Sequence, residues 1–78
     1  MPDPDFARRM TLQFGRNLEA ARLRAGLTQH EAAARAGIAA DSLGLIERGE
    51  TDPDLCTVAM LAYAVQCPLA TLLPRVGP

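Results

Sequence analysis

The 78-residue sequence contains no lysine and no tryptophan, and its only aromatic residues are Phe6, Phe14 and Tyr63. With few large rings and abundant alanine and leucine, small-residue packing between helices is favoured over a β-sandwich. No apolar run approaches the roughly 20 residues that span a bilayer. The start, MPDPDFARRM, places acids where a signal peptide would carry an apolar segment. A cytoplasmic protein without membrane contact is expected. Cysteine is scarce, with Cys56 and Cys67 the only two. On one helix they would stand roughly 16 Å apart, far beyond the roughly 5.5 Å between the Cα atoms of a disulfide. Two thiols and the distant His30 make a poor zinc site, so free, partly buried thiols and no metal are expected. There is no nucleophile–base pair and no glycine-rich phosphate loop. No catalytic residue, cofactor or small-molecule ligand is expected, and the chain does not read as an enzyme.

Length allows one domain. A chain this short buries only about 60% of its unfolded surface, so its stability is marginal or shared with a partner. All eight cations are arginine, and the formal net charge is −1. Whole-molecule attraction to nucleic acid is therefore not expected, but the distribution is uneven. Residues 1–35 hold six arginines against four acids; the remainder holds Arg48 and Arg75 against five acids. A phosphate-facing surface would draw on the first half.

Phe6, Met10, Phe14, Leu18, Ala21 and Ala25 recur at steps of four and three, the face of a long helix that Asp5 can cap and Gly26 ends. Thr28 with Glu31 forms a capping box for a short helix, QHEAAARA, stopped at Gly37. A third helix covers about Ala40 to Arg48, with Leu43 and Ile46 facing inward and Gly49 as its terminating glycine. A fourth runs from about Asp54 to Gln66, with Leu55, Val58, Leu61, Ala62 and Val65 as its core face. Pro68 opens a last short helix and Pro74 stops it. An all-α, compact five-helix bundle is predicted. Residues 1–5 are expected to be a flexible N-terminus, 6–73 the domain and 74–78 a tail.

A short helix, a turn containing glycine and a second helix make the helix-turn-helix pattern, here TQHEAAARAGIAADSLGLIERG at residues 28–49. Ala33 is small enough for the two helices to cross closely, Gly37 permits the turn, Ile38 fills the gap beneath it and Ile46 anchors the second helix. From Phe14 to Leu73 the chain resembles the phage-repressor and Cro-like (XRE) family. The elements that carry the resemblance are Gly26-Leu27-Thr28-Gln29, Ala33, Gly37-Ile38, Ile46-Glu47-Arg48-Gly49, Pro53, Leu55, Leu61-Ala62 and Leu72-Leu73. The resemblance implies a lambda-repressor-like DNA-binding domain that binds as a homodimer to a palindromic operator in double-stranded DNA. It implies that Gln29, with Thr28 beside it, reaches a phosphate and that Arg48 makes another phosphate contact. Ala40, Asp41, Ser42 and Leu45 would face the major groove, and Arg22 would pair with Glu47 to tie the first helix to the third.

The reading chemistry of that third helix is poor. Arginine or lysine on guanine and asparagine or glutamine on adenine each give roughly 1–3 kcal/mol of discrimination, and none of these is present at the outward positions. Ser42 discriminates little, Asp41 is repelled by phosphate, and Ala40 and Leu45 offer only contact with a thymine methyl. Glu50, Asp52 and Asp54 follow, where a phosphate-hugging loop would want cations. Two readings compete. One is weak binding per subunit, sharpened by dimerisation, methyl contacts and DNA shape. The other is a scaffold that recognises protein, such as an antitoxin or partner-binding domain.

Cys56, Met60, Tyr63 and Cys67 form a second apolar stripe on the fourth helix, with Leu69 or Val76 nearby. This is a candidate interface for a second copy or a partner, unless Tyr63 merely covers the last helix. Phe6 and Met10, extending beyond the usual start of the domain, are a second candidate surface. His30 reads as a surface or phosphate-proximal residue. Arg8 and Arg9 read as either solvated or touching DNA, and Arg24 and Arg35 as solvated. The expected function is a small stand-alone, sequence-specific transcriptional regulator, of the type of restriction-modification controllers or phage repressors.

Overall fold

A computed structural model describes residues 3–75. Part of the expected N-terminal arm (Met1 and Pro2) and part of the expected tail (Val76 to Pro78) lie outside the described residues. So does Val76 as a neighbour of the apolar stripe. Within the described residues the chain forms five helices, α1 (Phe6–Arg24), α2 (Gln29–Ala36), α3 (Ala40–Glu47), α4 (Leu55–Ala64) and α5 (Leu69–Leu72), and no strand.

Local chemistry sets most of the boundaries. Thr28 is extended, as an N-cap must be, and its hydroxyl accepts the Glu31 N–H while the Glu31 carboxylate accepts the Thr28 N–H. This reciprocal box satisfies two donors that the first turn of a helix leaves free. Gly26, Gly37 and Gly49 take φ near +73°, the left-handed conformation that turns the chain out of α1, α2 and α3. After α4 the same role falls to Gln66, at φ +58°, a conformation that costs a side-chain-bearing residue about 1 kcal/mol.

Three expectations are corrected. Asp5 does not cap α1 with its side chain, because its backbone is helical (φ −93°, ψ 0°) rather than extended. Asp3 organises that entry instead: its carbonyl accepts the Phe6 N–H and its carboxylate accepts the Asp5 N–H. Leu55 is not in the core; it is 76% exposed, because it is the first residue of α4 and the apolar face outruns the helices that cover it. Ala64 is buried in its place. Cys56 is exposed rather than partly buried; Cys67, three residues past α4, is half-buried.

Leu18, Leu43, Leu61 and Leu72, one each from α1, α3, α4 and α5, are the large side chains buried completely. Each contributes about 2 kcal/mol over exposure to water. Helix α2 packs on both α3 and α4 through Ala32, Ala33 and Ala36, all buried. Methyl-sized side chains let it lie close to both. Ile38, half-buried, packs beneath the turn between α2 and α3. Phe6 and Met10 are half-buried and line a groove of about 300 Å³ with Phe14, Val58, Leu73 and Pro74.

Candidate nucleic-acid interface

The site begins with a close approach between α1 and α3. A Cβ on Gly15 would stand 2.5 Å from the carbonyl oxygens of Ile46 and Glu47, so only glycine lets the end of α3 rest on α1. Nearby, a Cβ on Gly49 would fall 2.6 Å from Leu12 Cδ2. The bare backbone of Gly49 thus seats the turn after α3 on Leu12. These two contacts fix the end of α3 from below.

From the side, α3 is held by an ion pair. Arg22 donates through Nε to Glu47 Oε2 at 2.7 Å and through Nη2 to Oε1 at 3.1 Å. Its Nη1 donates to the Leu27 carbonyl at 2.9 Å. Both residues are buried, and these bonds satisfy the polar atoms that burial strips of water. Hydrogen bonding to Glu47 holds the Arg22 guanidinium protonated more firmly than usual, against the opposing effect of burial. The Gln29 amide joins the pair, donating Nε2 to Glu47 Oε1 at 2.8 Å. A half-buried glutamine at the start of α2 is therefore locked to the last residue of α3.

Gln29 and Arg48 meet over α3. The position a Cβ would take on buried Gly44 is 3.2 Å from Arg48 Nη1 and 3.8 Å from Gln29 Oε1. A Cβ at 44 would only touch Gln29 but would crowd the end of the Arg48 side chain, which would have to give by a few tenths of an ångström. On the same helix Leu43 and Ile46 are buried, while Asp41, Ser42 and Leu45 are exposed and Ala40 is half-buried against the core. Thr28 and His30 are exposed at the neighbouring end of α2. The open face of α3 thus has Gln29 and Arg48 at one end and a shallow cleft beside Ser42 and Leu45, bounded by Asp52, Pro53 and Asp54.

Two of the acids around this face have structural occupations. Asp54 caps α4, its carboxylate accepting the Thr57 N–H at 2.8 Å, and that bond holds its carboxyl below the usual range. Glu50 takes the Nε–H of Arg48. Away from the face, Arg9 pairs with Asp3 on the surface. The Asn17 amide donates to the Leu72 carbonyl at 3.1 Å, tying α1 to α5.

The stripe on α4 lies elsewhere. Cys56, Met60 and Tyr63 are exposed, with the Cys56 thiol 4.0 Å from Met60 Sδ. Tyr63, 81% exposed, does not cover α5. Met60 Cε reaches to 3.5 Å from where a Cβ of Gly37 would be, so the stripe abuts the turn between α2 and α3. Cys67 packs against the core, and burial pushes its thiol up despite the Arg24 guanidinium. Among the described residues there is no group of three or more metal-ligating side chains, and no helix is long and apolar enough to cross a membrane.

Sequence reasoning missed Gly15, Leu12, Asn17 and Gly44. For Gly15 and Gly44 a signal was present: a lone glycine inside a helical pattern costs about 1 kcal/mol and asks for a packing reason. Leu12 and Asn17 carry none.

A helix-turn-helix domain model matches residues 13–73. The chain belongs to the helix-turn-helix domain family, in its XRE-like form. Three solved structures are similar to this domain. The restriction-modification controller protein C.AhdI from Aeromonas hydrophila is 28% identical, with a TM-score of 0.78 over 81% of this chain and 96% of that one. The DNA-binding domain of BldD is 29% identical, with a TM-score of 0.76 over 85% and 96%. An HTH_3 family transcriptional regulator from Vibrio cholerae is 26% identical, with a TM-score of 0.80 over 85% of this domain and 37% of that chain. No curated protein matches the sequence.

Proposed function

We propose that the chain is a DNA-binding transcriptional regulator that lays α3 in the major groove and acts as a homodimer. The observation that carries this reading is the meeting of Gln29 and Arg48 over Gly44, at one end of an α3 whose outer residues are open to solvent. In this reading Thr28, Gln29 and Arg48 hold the phosphates, and Ala40, Asp41, Ser42 and Leu45 face the bases. Phosphate contacts position a protein on the duplex, while base contacts specify sequence. With Ser42 and Asp41, which can accept from a cytosine amino group, the only hydrogen-bonding readers, most discrimination comes from thymine methyls, DNA shape and the spacing of two half-sites.

The second copy is expected on the stripe of Cys56, Met60 and Tyr63, with Cys67 at its edge. Helix α4 carries no charged residue from Leu55 to Ala64, and a helix apolar all round is normally buried on every side. A neutral face can meet its own copy across a two-fold axis without like-charge repulsion. The likeness to controller and regulator proteins supports this reading. The same stripe favours the other reading, a protein-interaction module on the same scaffold.

Binding to random duplex DNA measured across salt concentrations separates the two. Affinity should fall steeply with salt, and Arg48→Ala should flatten the log–log slope. No binding at low salt would leave the interaction module as the surviving reading.

A further inference from the structure

The turn after α3 places an anion on the cation that this reading assigns to phosphate. Arg48 is the C-cap of α3 and Gly49 follows at φ +74°. Two backbone bonds lock the turn, Gly49 N–H to the Ile46 carbonyl at 3.0 Å and Glu50 N–H to the Leu45 carbonyl at 2.9 Å. Leu12 seats Gly49 from below. In a continuing helix, side chains two apart point away from each other. The left-handed residue between them reverses the chain, so residues 48 and 50 converge. Glu50 takes the Nε–H of Arg48, and both side chains remain more than half exposed. A guanidinium binds a carboxylate or a phosphate best through two parallel N–H groups. With Nε held by Glu50, the Nε–Nη2 edge is closed, and Arg48 offers a phosphate its Nη1–Nη2 edge, with its charge already partly neutralised, unless the pair opens.

We propose that Glu50 is a built-in competitor of the DNA phosphate for Arg48, and that it sets the affinity of the domain. The inference rests on the DNA-binding reading above. Binding exchanges one carboxylate for one phosphodiester on the same guanidinium, so the net gain per contact is small. The Gly49 turn that ends α3 delivers the acid that masks the arginine. Asp52, in the same loop, makes no ion pair among the described residues and supplies the control, because its removal changes net charge equally.

The test uses wild type, Glu50→Gln, Asp52→Asn, Arg48→Ala and the double variant Arg48→Ala/Glu50→Gln. Dissociation constants for a random-sequence duplex are measured by fluorescence anisotropy over a salt series, with melting curves to verify folding. Glu50→Gln should bind about five-fold more tightly at low salt and steepen the log–log salt slope by up to about 1. Asp52→Asn should gain clearly less. The Glu50→Gln gain should vanish in the Arg48→Ala background, the coupling of a pair that acts together. Equal gains from Glu50→Gln and Asp52→Asn, or a gain that survives without Arg48, would overturn the competitor while leaving DNA binding intact. Absence of binding by wild type and every folded variant would instead sink the DNA reading, and the competitor with it.

Discussion

At the scale of single residues, the site depends on glycines and on one buried ion pair more than on the side chains that face outward. Gly15 gives the clearest test. In an unpacked helix, glycine to alanine gains about 1 kcal/mol. Here the new methyl would meet backbone carbonyls of Ile46 and Glu47 at 2.5 Å, and backbone cannot move aside as a flexible side chain can. Gly15→Ala is therefore expected to destabilise by about 2 kcal/mol, read as a lower denaturation midpoint. A midpoint at or above wild type would show that α3 does not rest on α1 at this point. The Arg22–Glu47–Gln29 cluster plays the matching role from the side. The Arg22–Glu47 pair is buried and satisfied, and half-buried Gln29 bonds to it, so the cluster fixes the orientation of α3 against α1 and α2.

At the scale of elements, helix ends explain both the stability and the pH response. Glu31 is held below the usual carboxyl range by the Thr28 backbone N–H, and Asp54 by the Thr57 backbone N–H. A carboxyl lowered on folding adds stability above its unfolded value, and that stability is lost as pH falls through the folded one. The melting temperature should thus be flat near neutrality and fall below about pH 4. Glu31→Gln with Asp54→Asn keeps both caps as neutral hydrogen-bond acceptors, so the variant should melt lower than wild type at pH 7, approach it in acid, and show a shallower acid fall. An unchanged acid profile would remove these two carboxyls as its cause. Helix positions were legible in the sequence because capping chemistry is local: Thr28 with Glu31, and the glycines at 26, 37 and 49, mark real ends. The failures have the opposite cause. Asp5 looked like a cap, but its backbone geometry is set by Asp3 and the incoming chain. Leu55 fits the apolar spacing, yet spacing says nothing about where the neighbouring helices stop. The outer face of α3 follows from periodicity, whereas the crossing of Gln29 and Arg48 over Gly44, and the masking of Arg48 by Glu50, arise from contacts between elements and a left-handed turn.

At the scale of the molecule, two faces divide the work. One is the open side of α3; the other is the uncharged stripe on α4, which abuts the α2–α3 turn through Met60. A second copy on that stripe would bury apolar surface that the five helices leave open. Tyr63→Asp is expected to shift the protein toward monomer in sedimentation experiments without lowering helix content, because Tyr63 is already solvent-exposed within one chain. An unchanged mass distribution would move the self-association surface elsewhere, with the Phe6–Met10 groove as the next place to look. The central claim is that DNA meets α3 at the end where Gln29 and Arg48 converge. Amide chemical-shift mapping during titration with a short duplex at low salt tests it most directly. Large shifts are expected at Gln29, Ala40 to Leu45 and Arg48, with small ones along Cys56 to Tyr63; the reverse pattern would contradict it.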